Sequence, residues 1–222
     1  MLVMAKAPVA GRAKTRLGAV VGDAAAADLA AACILDTLDV CEAVVSGRDL
    51  LHLALAGALD GSPRHREIAQ RLERWTVHPQ RGPAFASRLA NAHLDVGRAT
   101  GGSVVQIGMD TPHLTAAALA EVGEQVGDGN DAVLGPAEDG GWWVLAVTRP
   151  GLAEGLGGVR MSTSRTFADT LAVLRADGAR VRLTATMRDV DTVPDAAAVA
   201  AAAPHTRFGS VWSRLAPAGD AT

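Results

Sequence analysis

The chain has 222 residues, 49% of them hydrophobic and 20% charged, with a formal net charge of -3. That length suits a single domain with one substantial core, and the slight acid excess argues against general nucleic-acid binding, which needs a surplus of Lys and Arg to displace counterions. No run of about 18 apolar residues and no charged start before a long apolar stretch occurs, so neither a membrane span nor a secretory signal is expected, and the expected location is cytoplasmic.

In chain order, the apolar Leu2-Val3-Met4-Ala5 predicts a strand, and Lys6 to Leu17 follows with four cations, Lys6, Arg12, Lys14 and Arg16, in eleven residues. A strand, a Pro8/Gly11 turn and a helix start leave backbone N-H groups unpaired at one point, where added cations hold phosphate oxygens. A solvated basic turn is the other reading of this cluster. Asp23 is expected to cap a helix through about Val40, with Leu29, Cys33, Leu35 and Leu38 on its apolar face. Cys33 and Cys41 have no partner at metal-ligand spacing and are expected as buried thiols.

The period then switches repeatedly between strand and helix, which predicts an α/β sheet. Strands are expected at Leu50 to Ala56, Trp75 to Val77, Ser103 to Ile107, Asp131 to Leu134, Trp142 to Val147 and Val181 to Thr184. Helices are expected at Arg64 to Arg74, Ala84 to Val96, Thr115 to Val126, Ser162 to Leu174 and, last, Ala196 to Ala203, ended by Pro204. No linker or composition shift divides the chain, so one domain over 1–215 is expected, with a disordered tail from Ala216 to Thr222.

Three acidic segments carry further chemistry. Asp110 stands just past the end of the Val104 to Ile107 strand, where ligands gather in open α/β sheets, and it can hold Mg2+ or cap a turn. Pro136 to Trp142 is an acidic, glycine-rich turn in which Gly140 and Gly141 let a ligand approach. There Glu138 or Asp139 could bind hydroxyls of a second substrate, with Trp142 as a flat wall; a plain hairpin turn also fits. Asp189 and Asp191 point the same way in an extended segment and could complete a metal site with Asp110, whereas Asp195 suits the start of the final helix.

In order and spacing, Lys6 to Leu17, Ile107-Gly108-Met109-Asp110-Thr111-Pro112, Gly135 to Gly141 and Asp189-Val190-Asp191-Thr192 resemble the bacterial nucleotide-diphospho-sugar transferase superfamily. Within it the chain is similar to a branch usually labelled as glycosyltransferases, and Arg12 to Leu17 is also similar to phospholactate guanylyltransferases. The resemblance implies a Rossmann-like mixed sheet with helices on both faces, of the glycosyltransferase-A type. It also implies Mg2+ or Mn2+ held by Asp110 and Asp191, with Asp189 beside them. Nucleotide contacts are implied for Lys6, Pro8, Gly11, Arg12, Lys14, Gln80, Gly82 and Arg88. Acceptor contacts are implied for Glu138, Asp139, Gly140, Gly141, Trp142, Ser162 and Thr163. The chain departs from the branch at Trp142 and Trp143, where a Tyr is common, at Met161, where a Trp is common, and in lacking Asp-Leu-Gly after Gln80.

Two reactions suit these residues. In nucleotidyl transfer, the preferred one, a phosphorylated small acceptor attacks the α-phosphate of an NTP, and Lys14, Arg16 and the Asp110-bound metal neutralise developing charge. In glycosyl transfer from an NDP-sugar, Asp139 would act as base for an acceptor hydroxyl. A non-catalytic nucleotide-binding regulator is a third reading, least favoured because all three acidic motifs are present. Oligomeric state cannot be read from the chain.

Overall fold

The computed structural model describes residues 1–215, so the tail expected from Ala216 onward lies outside the described residues. Apolar, partly β-branched runs make the strands of one seven-stranded mixed sheet: β1 (Leu2–Lys6), β2 (His52–Ala56), β3 (Thr76–Pro79), β4 (Val104–Gly108), β5 (Ala132–Pro136), β6 (Trp142–Val147) and β7 (Val181–Leu183). Their order is β3-β2-β1-β4-β6-β5-β7. β1 pairs in parallel with both β2 and β4, β6 runs antiparallel between β4 and β5, and β5 pairs in parallel with β7. After β1 the chain moves outward to β2 and β3, then returns to place β4 on β1's other side. This reversal opens a crevice beyond the carboxyl ends of β1 and β4.

The helices are α1 (Thr15–Val21), α2 (Asp23–Val44), α3 (His65–Leu72), α4 (Phe85–Thr100), α5 (Ala116–Gln125), α6 (Thr166–Ala176), α7 (Val193–Ala202) and α8 (Arg207–Leu215). One sheet face packs Val3, Leu53 and Ile107 against Ile34 and Leu38 of α2, Ile68 of α3 and Leu119 of α5. The opposite face packs Leu2, Met4 and Leu145 against Leu89 and Val96 of α4 and Leu174 of α6. A third cluster joins Leu17, Leu29 and Cys33 to Val199 and Phe208, so α1, α7 and α8 close over α2. Helices thus cover both faces, as an α/β architecture requires. Gly97 of α4 admits the 150–158 turn: a Cβ there would lie 1.9 Å from Pro150 Cγ.

Several boundaries differ from the sequence reading. Asp23 is the first residue of α2 rather than its cap, because Gly22, at φ +89°, makes the turn from α1. The strand expected from Leu50 begins at His52, since Arg48–Leu50 winds into a single 3-10 turn. The helix expected from Ser162 starts at Thr166, and the chain does not end its helices at Pro204, because α8 follows. Thr115 does cap α5, accepting from Ala118 N at 3.2 Å. Cys33 and Cys41 are buried and free, and burial pushes both thiols up to about 12. No helix among the described residues is long and apolar enough to cross a membrane.

Candidate active site

A cleft of about 590 Å3 opens beyond the carboxyl ends of β1 and β4. Its first wall is the turn after β1. There the carbonyl of Val9 accepts from Arg12 N and Ala13 N, folding the loop tightly and bringing Lys14 to the mouth of α1 at φ +50°. A non-glycine residue in the left-handed region costs on the order of 1 kcal/mol and persists where surrounding contacts enforce it. Here the enforcing contacts are Asp110 and the carbonyl oxygen of Val190, to both of which Lys14 Nζ donates. The Lys14 side chain is only 4% exposed, against 45% for Asp110. Burial works to lower the lysine's pKa, yet the charge and hydrogen bond of Asp110 prevail, so the ammonium is held above its ordinary value. Arg12 and Arg16 stay exposed beside it, and Arg16 reaches Asp191 at 3.4 Å.

The second wall is acidic. Asp139 lines the cleft and accepts from Gly141 N at 2.7 Å, which fixes the glycine-rich turn. Gly140 has φ +89°, and a Cβ there would lie 2.5 Å from the Ser164 backbone, so this turn admits only glycine. Asp189 and Asp191 flank the buried Val190 in an extended stretch and both line the cleft. Burial pushes Asp189 up to about 6, with the carboxylates of Asp139, Asp191 and Asp110 adding to the rise. Burial also raises Asp191, where Asp110 and Asp139 add while Lys14 and Arg16 oppose. Four carboxylates facing one space is an arrangement that a divalent cation relieves.

Metal capacity follows from the donor set. Among the described residues, no three His, Cys, Asp or Glu side chains converge closely enough to make an all-protein cage. Mg2+ uses one or two carboxylates with phosphate oxygens and waters, and Asp110 and Asp191, both lining the cleft, are of the type that could serve.

The cleft gathers some expected contacts and leaves others outside. Lys6, Arg12, Lys14, Gln80 and Arg88 line it, as do Asp139, Gly141, Trp142 and Ser162. Pro8, Gly11 and Gly82 shape loops behind the lining, and Gly140 and Thr163 support the turn against α6. Glu138 points away and pairs with Arg188 at 2.6 Å. Asp195 does not join the acidic group: it closes a capping box with Thr192 on α7, accepting from Thr192 N at 3.0 Å.

Residues overlooked in the chain complete the α4 side. Phe85, on α4's first turn, is an exposed aromatic at the rim with the Arg88 guanidinium 5.8 Å from its ring centre. Deeper lie Gln106 of β4 and His93 of α4, both fully buried. A lone amide within Val104-Val105-Gln106-Ile107 was the available signal, since nothing else in that run is polar.

Solved structures share this fold. A protein from Desulfovibrio desulfuricans G20, assigned by name to the nucleotide-diphospho-sugar transferases, superposes with a TM-score of 0.82 at 22% identity, covering 96% of this chain and 93% of that one. A cytidylyltransferase from Leptospira borgpetersenii matches with a TM-score of 0.54 at 12% identity, over 96% of this chain and 92% of its own. A CMP:2-keto-3-deoxy-manno-octonic acid synthetase complexed with CTP matches with a TM-score of 0.52 at 12% identity, over 89% and 95%. The chain belongs to the family described as "Uncharacterized protein conserved in bacteria (DUF2064)", whose model matches residues 37–163, more than half of the chain. No curated protein matches it.

Proposed function

We propose that the protein transfers a nucleotidyl group from an NTP to a small phosphorylated acceptor, with Mg2+ or Mn2+ bound. The observation that carries this reading is that one cleft is lined both by the ammonium of Lys14, bonded to Asp110, and by the further carboxylates of Asp189 and Asp191. An acceptor phosphate oxygen forms a bond to the α-phosphorus, the bond from that phosphorus to the bridging oxygen breaks, and pyrophosphate departs with the electron pair. Lys14 supplies a fixed positive charge against the phosphates, and Arg12 and Arg16 add mobile charge from solvent. Asp110 and Asp191 would hold the metal, which when bound neutralises charge on the phosphate oxygens. The acceptor phosphate is already an anion near pH 7, so no base is required. The named activities of the structural relatives, two of them cytidylyl or CMP-forming by name, support a nucleotide substrate.

Glycosyl transfer from an NDP-sugar is the second reading. It is favoured by the Asp139 carboxylate lining the cleft and by the name of the 0.82 TM-score relative. Incubation with each NTP and Mg2+ beside a panel of phosphorylated acceptors, following pyrophosphate, with NDP-sugar hydrolysis measured in parallel, separates the two. Pyrophosphate formation supports nucleotidyl transfer; NDP release without pyrophosphate overturns it.

A further inference from the structure

The α4 side of the cleft contains polar atoms with nothing to bond. Gln106 is fully buried, and neither its amide nitrogen nor its amide oxygen has a partner. Strand alternation puts its side chain on the same face as Val104, beneath α4, among Leu2, Met4 and Leu89. Next to it both ring nitrogens of His93 are likewise unpartnered; the ring is close enough to feel the amide, yet makes no bond of normal geometry with it. Toward the rim, Arg88 Nε and Trp142 Nε1 are buried without partners. Gln106, Arg88 and Trp142 all line the cleft.

A buried amide left unpaired is destabilising, and an apolar residue of the same size would carry no such penalty. A strand otherwise made of Val and Ile therefore keeps Gln106 at an expense that packing does not explain. The charge balance says what could meet it. Burial lowers His93 to about 3, so the ring behind Gln106 is neutral near pH 7, and the part of the cleft that Gln106 lines carries no charge of its own. Apart from Arg88 at the edge, the cleft's cations and its carboxylates lie around Lys14 and Asp110. A phosphate or carboxylate suits that end, whereas the floor suits an uncharged group that both donates and accepts.

We propose that Gln106 is a specificity-determining residue of this cleft and binds an uncharged hydroxyl- or amide-bearing part of a substrate, with Arg88 and Trp142 supplying further donors at its edge. The proposal rests on the nucleotidyl-transfer reading for what occupies the cleft. That group can come from the base and ribose of the nucleotide or from a polyol acceptor, and a site built to bond such a group rejects analogues lacking it by large factors.

Gln106→Met keeps volume and removes both unpaired polar atoms. Calorimetry with ATP, GTP, CTP and UTP in Mg2+ forms one arm, and calorimetry with glucose 1-phosphate, mannose 1-phosphate and glycerol 3-phosphate forms the other. Thermal melting of each protein accompanies both. The expected result is an unchanged or higher Tm with at least a 10-fold loss of affinity for the preferred probe in one arm, which also identifies the source of the group. Affinities unchanged in both arms overturn the proposal. A lowered Tm also overturns it, because the amide would then be a structural member of the core. If the variant does not fold, Gln106→Asn, which keeps a shortened amide, replaces it: an altered ranking of probes supports the proposal and an unaltered ranking overturns it. Wild-type protein that binds no probe in either arm refutes the nucleotidyl-transfer reading itself, a result visible before any variant is made.

Discussion

Asp36 of α2 and Gln106 of β4 are both polar side chains removed from water, and the chain treats them in opposite ways. Asp36 accepts from Phe208 N at 2.9 Å and Arg207 N at 3.0 Å, and it pairs with the Arg207 guanidinium, which also bonds Asp39 and reaches Glu67 at 3.2 Å. Burial pushes the Asp36 carboxyl up, while the N-H groups of Phe208 and Arg207 pull it down. Every polar atom there has a duty inside the fold, which is to fasten α8 onto α2. Gln106 and His93 lie against each other with no other polar partner in the fold. A satisfied buried network specifies structure, whereas an unsatisfied polar pair beside a cleft calls for another explanation, here the proposed substrate contact.

The largest expected effect falls on turnover at the acidic wall. If Asp110 and Asp191 hold the metal as proposed, Asp110→Asn keeps an oxygen for Lys14 but puts a neutral amide in place of a hard anionic ligand, so turnover should drop on the order of 1000-fold, and Asp191→Asn should behave alike. Asp195→Asn, in the α7 capping box, should cost at most about 1 kcal/mol of stability and little turnover. Full activity in steady-state assays of Asp110→Asn would reduce Asp110 to a turn residue.

Next comes the contrast between fastening and binding. Asp36→Ala leaves the Arg207 cluster short of its central acceptor and should lower unfolding free energy by about 3 kcal/mol in urea titration, with nucleotide affinity retained. Lys14→Ala should do the reverse. It should weaken NTP binding at least about 10-fold in calorimetry, with a smaller stability loss because Asp110, 45% exposed, can be rehydrated.

Much of this was legible in the chain, and what was not has physical causes. Strand and helix periods in Val104 to Ile107 or Ala116 to Gln125 come from local burial, so β4 and α5 stand where expected. The four motifs were legible because a basic turn and acidic strand ends carry composition of their own. Burial of Lys14 was not, since it depends on Asp110 and Val190, 96 and 176 residues away. Helix α8 was missed for the same reason: Pro204 looked like an end, and what holds Arg207–Leu215 is Asp36, 171 residues earlier.

Acid sensitivity sharpens the comparison further. The His93 pKa falls to about 3 in the fold against about 6.5 when unfolded, so between these values the unfolded chain binds the extra proton. Stability from this group is therefore complete above pH 6.5 and is lost as pH falls toward 3, with a slope of up to about 1.4 kcal/mol per pH unit. Denaturant titrations at pH 4, 5 and 6 should show that slope, and His93→Gln should flatten it by one proton. An equal slope in both proteins would mean that the ring reaches water.

The smallest expected effect is also the one that decides between chemistries, at Asp139. One of its oxygens is committed to Gly141 N at 2.7 Å, so the carboxylate is fixed in place whether or not it takes a proton. If it serves as base for an acceptor hydroxyl, Asp139→Asn should depress the chemical step by about 100-fold or more. If the attacking group is an acceptor phosphate, already anionic near pH 7, no proton need be taken, and Asn can still accept from Gly141 and hold the turn. The change should then appear chiefly in KM for the acceptor, by a few-fold, as acceptor contacts at this wall are perturbed. Single-turnover rates at saturating acceptor separate these outcomes. Pyrophosphate release at a rate within a few-fold of wild type sustains nucleotidyl transfer, while a collapsed rate with NDP as the only nucleotide product assigns the cleft to glycosyl transfer.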